Sequence, residues 1–251
     1  MDPADVLALL HRAADAVAAA LAGTDDWGLA GTVAGQYRSD LVADGAALGV
    51  LDEAGVGVLS EESGYRAGPS DGSGVVVVVD PLDGSTNAHR GVPWYATSLC
   101  AVDRAGPLAA VVVDIVHGTR YEAVRGGGAR RDGVAIAPTM CERIDDAFLG
   151  LSGWPPQRFG WCQFRSLGAS ALDLCGVAAG LLDGFVDCSV DAHGPWDYLG
   201  ALLVCQEAGA PIVDGLGRDL VVLDHAARRT PVAAATPALL DAVLAARRSF
   251  V

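Results

Sequence analysis

The sequence has no long apolar run and no closely spaced pair of cysteines. Its longest uninterrupted apolar stretch is far too short to cross a bilayer. The N-terminal stretch of residues 6–21 is interrupted by charged residues and lacks the cleavage site of a signal peptide. The six cysteines are widely spaced and mostly lie in apolar segments. This pattern is typical of reduced, buried thiols rather than of a disulfide framework or a zinc site, so we expect a soluble, cytoplasmic protein.

Positive charge is also scarce. The 251 residues include 17 Lys and Arg against 31 Asp and Glu, which gives a formal net charge of -14. Non-specific binding of nucleic acid requires clustered basic residues, so we expect no nucleic-acid polymer as a partner. A solvated acidic surface explains most of the charge, and part of it could form a carboxylate cluster that binds cations. With 51% hydrophobic and 19% charged residues, the composition is globular.

Helical and extended patterns alternate along the first half. Residues 3–22 predict an amphipathic helix, because apolar residues recur at helical spacing. A second helix is expected to begin near Asp44. The five consecutive valines at 75–79 predict a strand that is buried on both faces and ends at Asp80. Residues 95–124 predict a meander of three strands separated by turn residues.

The second half alternates in the same way. It predicts helices at 168–184, 196–210 and 237–248, and strands at 185–190, 211–214 and 232–236. We therefore expect an α/β (α+β) layered sandwich in which helices cover the sheets. We place a boundary close to Pro138, between an N-terminal subdomain of residues 1–137 and a C-terminal subdomain of residues 138–251. No flexible linker separates them, so we expect one compact unit.

The string DPLDGSTN at residues 80–87 combines acids with a turn. An acid at the carboxyl end of a buried strand lies where ligands of open α/β sheets usually bind. Asp83 returns to the same place three residues after Asp80, and Leu82 between them can offer its carbonyl oxygen. Carboxylate and carbonyl oxygens are the ligands that Mg²⁺ prefers. The string therefore predicts a divalent-metal site.

The same string supplies a candidate phosphate cradle. Gly84, Ser85 and Thr86 form a small-residue turn with backbone N–H groups that suit a phosphate. An isolated Asp-Gly pair would indicate only an ordinary turn with Asx hydrogen bonds. The complete eight-residue string is more specific, and it predicts a metal site that handles phosphate.

Three further acids are candidates with two interpretations each. Glu61 and Glu62 follow an apolar strand and could simply be solvated. If one of them meets Asp80, the two carboxylates would repel strongly unless a cation lies between them. Asp197 precedes a helix, where Asp commonly caps the first turn, and the same argument about a cation applies to it.

Three motifs together resemble a known family. The strings SEESG, DPLDGSTN and PWDYLGALLVCQEAG stand in the order and approximate spacing of the inositol monophosphatase family, part of the magnesium-dependent, lithium-sensitive phosphatase superfamily. The motifs span residues 61–209, and the flanking elements fit as well. The resemblance implies the family's layered fold, a phosphoric monoester hydrolase activity and a homodimer.

The resemblance also implies roles for single residues. Two or three Mg²⁺ ions would be held by Glu61, Asp80, the Leu82 carbonyl, Asp83, Ser85 and Asp197. Ser85 and Glu61 would orient and deprotonate the attacking water, and Asp44 would support Ser85. The string FRSLGASALDL matches the stretch that lines the sugar, which implies substrate contacts from Arg165, Gly168, Ala169 and Ser170, in addition to Asp83 and residues 84–86. Ser170 could equally be the start of a helix. Asp187 matches a family acid that contacts substrate hydroxyls.

Two segments depart from the family pattern. The segment DLVAD at residues 40–44 lacks the family's threonine and is two residues shorter, so Asp40 remains an alternative to Asp44. The loop after Asp187 is longer and adds Asp191 and His193. His193 could touch substrate or could satisfy a loop carbonyl, and we favour the carbonyl.

The substrate expected by default is inositol monophosphate. The shared motifs recognise the phosphate and not its carrier, so fructose 1,6-bisphosphate, histidinol phosphate and 3′-phosphoadenosine 5′-phosphate are alternatives. The charge of -14 disfavours a polyanionic substrate unless cations screen it. A catalytically silent, metal-binding regulatory relative is a further alternative. Loss of a metal ligand would mark such a protein, and none of the four acids is missing.

Overall fold

Two sheets and three layers of helices alternate in the computed structural model, which describes residues 1–31, 33, 35–68 and 74–248. The helices are α1 (Pro3–Ala22), α2 (Arg38–Glu53), α3 (Ser85–Arg90), α4 (Ser170–Ala178), α5 (Leu199–Ala208) and α6 (Pro237–Arg247), with a 3₁₀ turn at Pro195–Asp197. The layers run helix, sheet, helix, sheet, helix, so the predicted layered fold is confirmed.

The first sheet has eight strands in the order β2-β1-β3-β4-β5-β6-β7-β8. These strands are β1 (Gly57–Ser60), β2 (Gly64–Arg66), β3 (Val76–Asp83), β4 (Ala96–Asp103), β5 (Gly106–Asp114), β6 (Arg120–Val124), β7 (Gly128–Arg131) and β8 (Val134–Ala135). The strands β1 and β3 run parallel, and the other neighbours pair antiparallel. The meander predicted at 95–124 corresponds to β4, β5 and β6.

The second sheet has five strands in the order β10-β9-β11-β13-β12. They are β9 (Phe148–Ser152), β10 (Gln163–Arg165), β11 (Gly184–Asp187), β12 (Ile212–Asp214) and β13 (Pro231–Ala234). The helices α4 and α5 pack between the two sheets, and α6 covers the outer face of the second. The expected boundary near Pro138 falls between β8 and β9, and the folding of the two halves as one unit stays a prediction.

Burial on both faces explains the run of valines in β3. Val77 and Val79 pack with α1 and α2 on one face, whereas Val76 and Val78 face the layer of α4 and α5. Because side chains alternate along a strand, Asp80 continues the face of Val78 and points toward α5. The hydrophobic sequence pattern therefore decides on which side of the sheet the acid lies.

Two predicted helix boundaries are wrong. Helix α2 begins at Arg38 and not near Asp44, because the Asp40 carboxylate accepts a hydrogen bond from the Tyr37 backbone N–H (2.8 Å) and closes the first turn. Tyr37 is not a residue that commonly caps helices, so no capping signal marks this start. The helix predicted at 168–184 ends at Ala178, because Gly180 adopts a left-handed φ of 70°.

Among the described residues, no helix combines the length and apolarity that crossing a membrane requires. All six cysteines are free thiols, of which Cys162 is exposed and four are buried.

The core between the layers predicts a measurable cost for one aromatic side chain. Phe185 on β11 is fully buried in the cluster that joins the sheets through α4 and α5. We expect Phe185→Ala to lower the free energy of unfolding by about 3–5 kcal/mol, because the truncation leaves a cavity. Phe164→Ala is the matched control, since that ring is 47% exposed. Equal losses for the two variants in urea denaturation would contradict this placement of the core.

Candidate metal centre

Glu61 and Asp80 lie side by side because β1 and β3 are parallel. Both strands end at the same edge of the sheet, and the Glu61 backbone N–H continues the pairing by donating to the Val79 carbonyl (3.1 Å). The carboxyl ends of parallel strands are where ligands of such sheets usually bind. The two acids therefore reach one place from segments almost twenty residues apart.

A β-bulge brings Asp83 to the same side as Asp80. Asp80 pairs with Ser98 and Asp83 with Ala96, so three steps along β3 oppose two steps along β4. In a regular strand, residues three apart would point to opposite faces, and the extra residue cancels that alternation. The Leu82 N–H also donates to Asp80 Oδ1 (3.0 Å), which fixes the turn between the two acids.

Asp197 completes the cluster from the 3₁₀ turn before α5. Its Oδ2 accepts a hydrogen bond from the Gly194 backbone N–H (2.7 Å). This bond closes the 3₁₀ turn and does not cap α5, whose cap position is Tyr198, so the expected capping role is wrong. Asp80, Asp83 and Asp197 each offer one oxygen, and these three oxygens lie within 4.8 Å of one another. Asp80 and Asp83 are buried, and Asp197 is partly buried.

The electrostatics of the cluster favour a bound cation. Burial, with the neighbouring charges of Glu61 and Asp83, raises the pKa of Asp80 well above its usual range. Burial and the charge of Asp197 likewise raise the pKa of Asp83, although the Ala171 N–H (2.7 Å) opposes the shift. Buried carboxylates with raised pKa values are stable as anions only if positive charge lies beside them.

The donor set fits Mg²⁺. Asp80 Oδ2 is buried and has no hydrogen-bond partner among the described residues, which is the state expected of an atom that binds a metal ion. The three carboxylates, with the Leu82 backbone carbonyl between two of them, are hard oxygen ligands of the kind that Mg²⁺ takes. Glu61 is not one of the three acids within 4.8 Å of one another. It lies beside them, and its charge raises the pKa of Asp80.

A cavity of about 480 Å³ opens beside these acids. Its lining includes Glu61, Asp40 and Ser85 as well as Trp196, His225 and Arg228. Burial and the charge of Asp197 raise the pKa of Glu61 to about 9. The cavity thus places a carboxyl group and a hydroxyl group next to the metal-binding acids. A larger cavity of about 550 Å³, near Trp154 and Trp161, contains none of these acids.

Gly84 is required by the close approach of two segments. It adopts a left-handed φ of 86°, and a Cβ there would lie 3.0 Å from the Trp94 carbonyl and 3.2 Å from Ala169 Cβ. Asn87 fixes the same contact, because its side-chain amide donates to the carbonyls of Trp94 (2.8 Å) and Leu167 (2.7 Å). The turn that begins α3 is therefore held against the segment that begins α4.

Asp40 and Asp44 lie on one face of α2 and have different surroundings. Asp40 lines the cavity together with Ser85, and burial raises its pKa to about 7. Asp44 accepts a hydrogen bond from the Ser60 hydroxyl (2.5 Å), one residue before Glu61. Asp44 thus holds the strand that carries Glu61, whereas Asp40 faces the cavity that contains Ser85.

The segment predicted to line a sugar lies next to the metal centre. Ala169 is buried and precedes α4, and Gly168 has a left-handed φ of 89°. Ser170 is half-buried, and its N–H donates to Asp83. Arg165 is the last residue of β10, and its guanidinium lies 4.7 Å from the centroid of the Phe148 ring. Thr86 is exposed, and its hydroxyl lies 3.3 Å from that of Tyr37.

The expectation that Asp187 contacts substrate fails in this structure. Asp187 is 0% exposed, and its two carboxylate oxygens accept hydrogen bonds from the Ser189 N–H (2.8 Å) and from His193 Nδ1 (2.9 Å). His193 covers the acid, so the preference for a loop carbonyl as the partner of this ring is also wrong. Asp191 forms an ion pair with Arg218 (2.7 Å).

The sequence patterns missed two residues that line the cavity, His225 and Arg228. His225 Nε2 bonds the Glu61 carbonyl oxygen (2.9 Å), and its ring packs at a tilt against Trp196, with the ring centroids 4.8 Å apart. The Arg228 guanidinium lies over the same indole, 5.1 Å from the ring centroid. Burial raises the pKa of Asp197, and the charge of Arg228 opposes that shift. No motif marks these two residues, because they approach the site from a loop some thirty residues after Asp197.

The raised pKa values predict how the metal-free protein responds to pH. Folding raises the pKa of Glu61 to about 9 from an unfolded value of about 4.3, so the folded state binds more protons in between. The free energy of unfolding should therefore fall as pH rises from 6 to 9 in EDTA, which urea denaturation measures.

Glu61→Gln should make that pH dependence shallower, and the exposed control Glu142→Gln should leave it unchanged. A wild-type stability that stays constant or rises over this pH range would contradict the proposed crowding of acids.

Comparison with known proteins agrees with this geometry. The model of the inositol monophosphatase family matches residues 52–251. A fructose-1,6-bisphosphatase/inositol-1-monophosphatase from Methanothermobacter thermautotrophicus is 33% identical over 216 residues, which cover 78% of this chain and 77% of that protein. Nus factor SuhB from Escherichia coli is 31% identical over 206 residues, covering 76% and 73%.

A solved structure shows the same fold. The inositol monophosphatase from Anabaena superposes with a TM-score of 0.81 at 24% identity, covering 100% of this chain and 98% of the other. The family model matches well over half of the chain, and the matched residues include the three motifs. The chain therefore belongs to the inositol monophosphatase family and is a phosphatase, a phosphoric monoester hydrolase.

Proposed function

We propose that this phosphatase is magnesium-dependent and hydrolyses a small polyol phosphate, with inositol monophosphate as the leading substrate. The observation that carries the proposal is the cluster of Asp80, Asp83 and Asp197, whose oxygens lie within 4.8 Å and include a buried oxygen without a partner. The cluster adjoins the Gly84 turn, where small residues leave backbone N–H groups for a phosphate.

Two or three Mg²⁺ ions would be held by Glu61, Asp80, the Leu82 carbonyl, Asp83, Ser85 and Asp197. When bound, they supply Lewis-acid activation of water and neutralise charge on the phosphate and on the leaving oxygen. The protein's own contribution is to hold these oxygens in place before substrate arrives. The β-bulge after Asp80 and the N–H donors to Asp83 provide that arrangement.

The remaining groups would position phosphate and water. The N–H groups of Ser85 and Thr86 precede the first hydrogen bond within α3, from the Ala88 N–H to the Gly84 carbonyl, so they can donate to phosphate oxygens. The Ser85 hydroxyl and the Glu61 carboxylate line one cavity and would orient the attacking water and accept its proton. We propose that Asp40, which lines this cavity, supports Ser85 and that Asp44 holds the Glu61 strand.

Fructose 1,6-bisphosphate is the second candidate substrate. Arg228 lines the same cavity, and its guanidinium could bind a second phosphate. The relative with 33% identity carries both activities in its name. Histidinol phosphate and 3′-phosphoadenosine 5′-phosphate have no comparable observation in their favour.

The remaining expectations concern partners and inhibition. Inhibition by Li⁺, a homodimer and a cytoplasmic location rest on the resemblance to the family and on composition. One relative is named a Nus factor, so the absence of a nucleic-acid partner stays a prediction for this chain. A catalytically silent, metal-binding regulatory protein is less favoured than an enzyme, because the four candidate acids are all present: Glu61, Asp80, Asp83 and Asp197.

Phosphate release tests the proposal directly. With Mg²⁺, the purified protein should release phosphate from inositol monophosphate within a panel that includes fructose 1,6-bisphosphate, histidinol phosphate and a nucleotide phosphate. Asp80→Asn should abolish turnover, because Asp80 is a proposed metal ligand at the centre of the acid cluster, and it should leave the circular dichroism spectrum intact. The control Asp145→Asn, an exposed acid, should retain wild-type rates. No hydrolysis of any panel member would refute the proposed activity.

The two acids of α2 predict opposite phenotypes. Asp40→Asn should lower kcat about 10- to 100-fold with little change in stability, since the carboxylate lines the cavity and the amide oxygen of Asn can still accept the Tyr37 N–H. Asp44→Ala should lower the free energy of unfolding by about 1–3 kcal/mol, because it removes the acceptor of the buried bond from Ser60. Steady-state kinetics and urea denaturation of both variants separate these effects. The reverse pattern would return the supporting role to Asp44.

A further inference from the structure

One loop, residues 224–229, contacts both of the segments that bring acids to the metal centre from outside β3, and we call it the bridging loop. His225 Nε2 lies 2.9 Å from the carbonyl oxygen of Glu61, just after β1. The His225 ring packs at a tilt against Trp196, with the centroids 4.8 Å apart, and the Arg228 guanidinium lies 5.1 Å from the centroid of the same indole. Trp196 directly precedes the acid of the 3₁₀ turn before α5. The bridging loop therefore connects the first sheet to that turn.

Hydrogen bonds within the bridging loop give it a defined shape. Asp224 closes its first turn, because its carboxylate accepts from the Ala226 N–H (2.9 Å) and its carbonyl accepts from the Ala227 N–H (3.0 Å). The Arg228 guanidinium donates to the carbonyls of His225 (2.9 Å) and Ala227 (2.8 Å). His225 is exposed, and it is nevertheless presented by a folded loop.

The end of the bridging loop is anchored on the segment before Asp197. Arg229 and His193 form an isolated antiparallel bridge, in which the Arg229 N–H donates to the His193 carbonyl (2.8 Å) and the His193 N–H donates back (3.2 Å). The Arg229 side chain also donates through Nε to the Asp219 carbonyl (2.6 Å). Because this end is fixed, the loop reaches Glu61 from a base that belongs to the Asp197 segment.

Glu61 depends on this contact because it lies one residue beyond the end of β1. Its N–H donates to the Val79 carbonyl (3.1 Å), and its carbonyl oxygen accepts from His225 Nε2 (2.9 Å). A carbonyl oxygen only accepts hydrogen bonds, so Nε2 carries the proton. Both backbone polar groups of Glu61 are thus bound, which restricts the dihedral angles that direct its side chain. Glu61 and Asp197 repel each other as anions, so the metal-free site needs a contact that keeps them together.

We propose that His225 is a positioning residue for the metal centre: by donating to the Glu61 carbonyl, it holds Glu61 in place relative to Asp197 before an ion binds. The inference rests on the proposed magnesium dependence and deepens it, because it assigns part of the affinity for the ion to a residue outside the proposed ligand set. Trp196 and Arg228 take part by fixing the position of the bridging loop.

Binding of Mn²⁺ to the metal-free protein, measured by isothermal titration calorimetry, tests the inference without turnover. His225→Phe keeps a ring beside Trp196 and removes the donor, so it should weaken Mn²⁺ binding about five- to tenfold, which is what one lost hydrogen bond contributes. His225→Gln supplies an amide N–H near the place of Nε2 and should bind within about twofold of the wild type. His117→Phe is the matched control, because that ring bonds Asp114 in the turn after β5, and it should match the wild type.

A double-mutant cycle shows whether His225 acts through Glu61. In the Glu61→Gln background, His225→Phe should cause little further loss of Mn²⁺ affinity, since the ligand that His225 positions has already lost its charge. Fully additive losses would refute the positioning role, because His225 would then act on the site by another route. Thermal melting of the metal-free variants, followed by circular dichroism, should give the wild-type midpoint for His225→Phe, since the residue is exposed.

The remaining outcomes separate this inference from the proposed function. If His225→Phe binds Mn²⁺ as tightly as the wild type, the positioning role is refuted. If His225→Gln loses as much affinity as His225→Phe, the hydrogen bond to Glu61 is not the cause and the role is refuted as well. If the wild type itself binds no Mn²⁺, the proposed magnesium dependence fails and this inference fails with it.

Discussion

The mutual repulsion of buried carboxylates at one edge of the first sheet is the constraint on which the rest of the site depends. Asp80, Asp83 and Asp197 present oxygens within 4.8 Å of one another, and Glu61 adds a fourth charge beside them. Such a cluster opposes folding unless cations neutralise it, so the fold must supply the energy that holds it together. Hydrophobic burial on both faces of β3 supplies part of that energy.

The four acids lie on different elements of the fold, and a local structural feature positions each of them. Parallel pairing brings Glu61 to Asp80, a bulge turns Asp83 to the same side, and a 3₁₀ turn before α5 presents Asp197. The hydrogen bonds that hold these acids come mainly from backbone N–H groups, which cannot swing away. The centre is therefore organised before any ion or substrate binds, as electrostatic catalysis requires.

The acids and the layered fold could be predicted from the sequence, because local patterns encode them. Five valines predict a buried strand, and the string from Asp80 to Asn87 predicts a site at its end. The environment of Asp187 could not be predicted, because His193 covers that acid only through the conformation of a long loop. Arg228 and His225 likewise approach from a distant loop without a motif. The first turn of α2 was missed because Tyr37 gives no capping signal.

The walls around the acids divide the work of recognition. In the proposed function, the Gly84 turn would face the phosphate and the segment from Gly168 to Ser170 would face the carrier, while Arg228 and His225 line the cavity beside the acids. All three depend on a cation at the acids, so the position of that cation is the central claim. Anomalous diffraction from crystals soaked in Mn²⁺, a substitute for Mg²⁺, tests it most directly. We expect a peak bonded to Asp80 Oδ2 between Asp83 and Asp197. A map without a peak at these carboxylates would contradict the account.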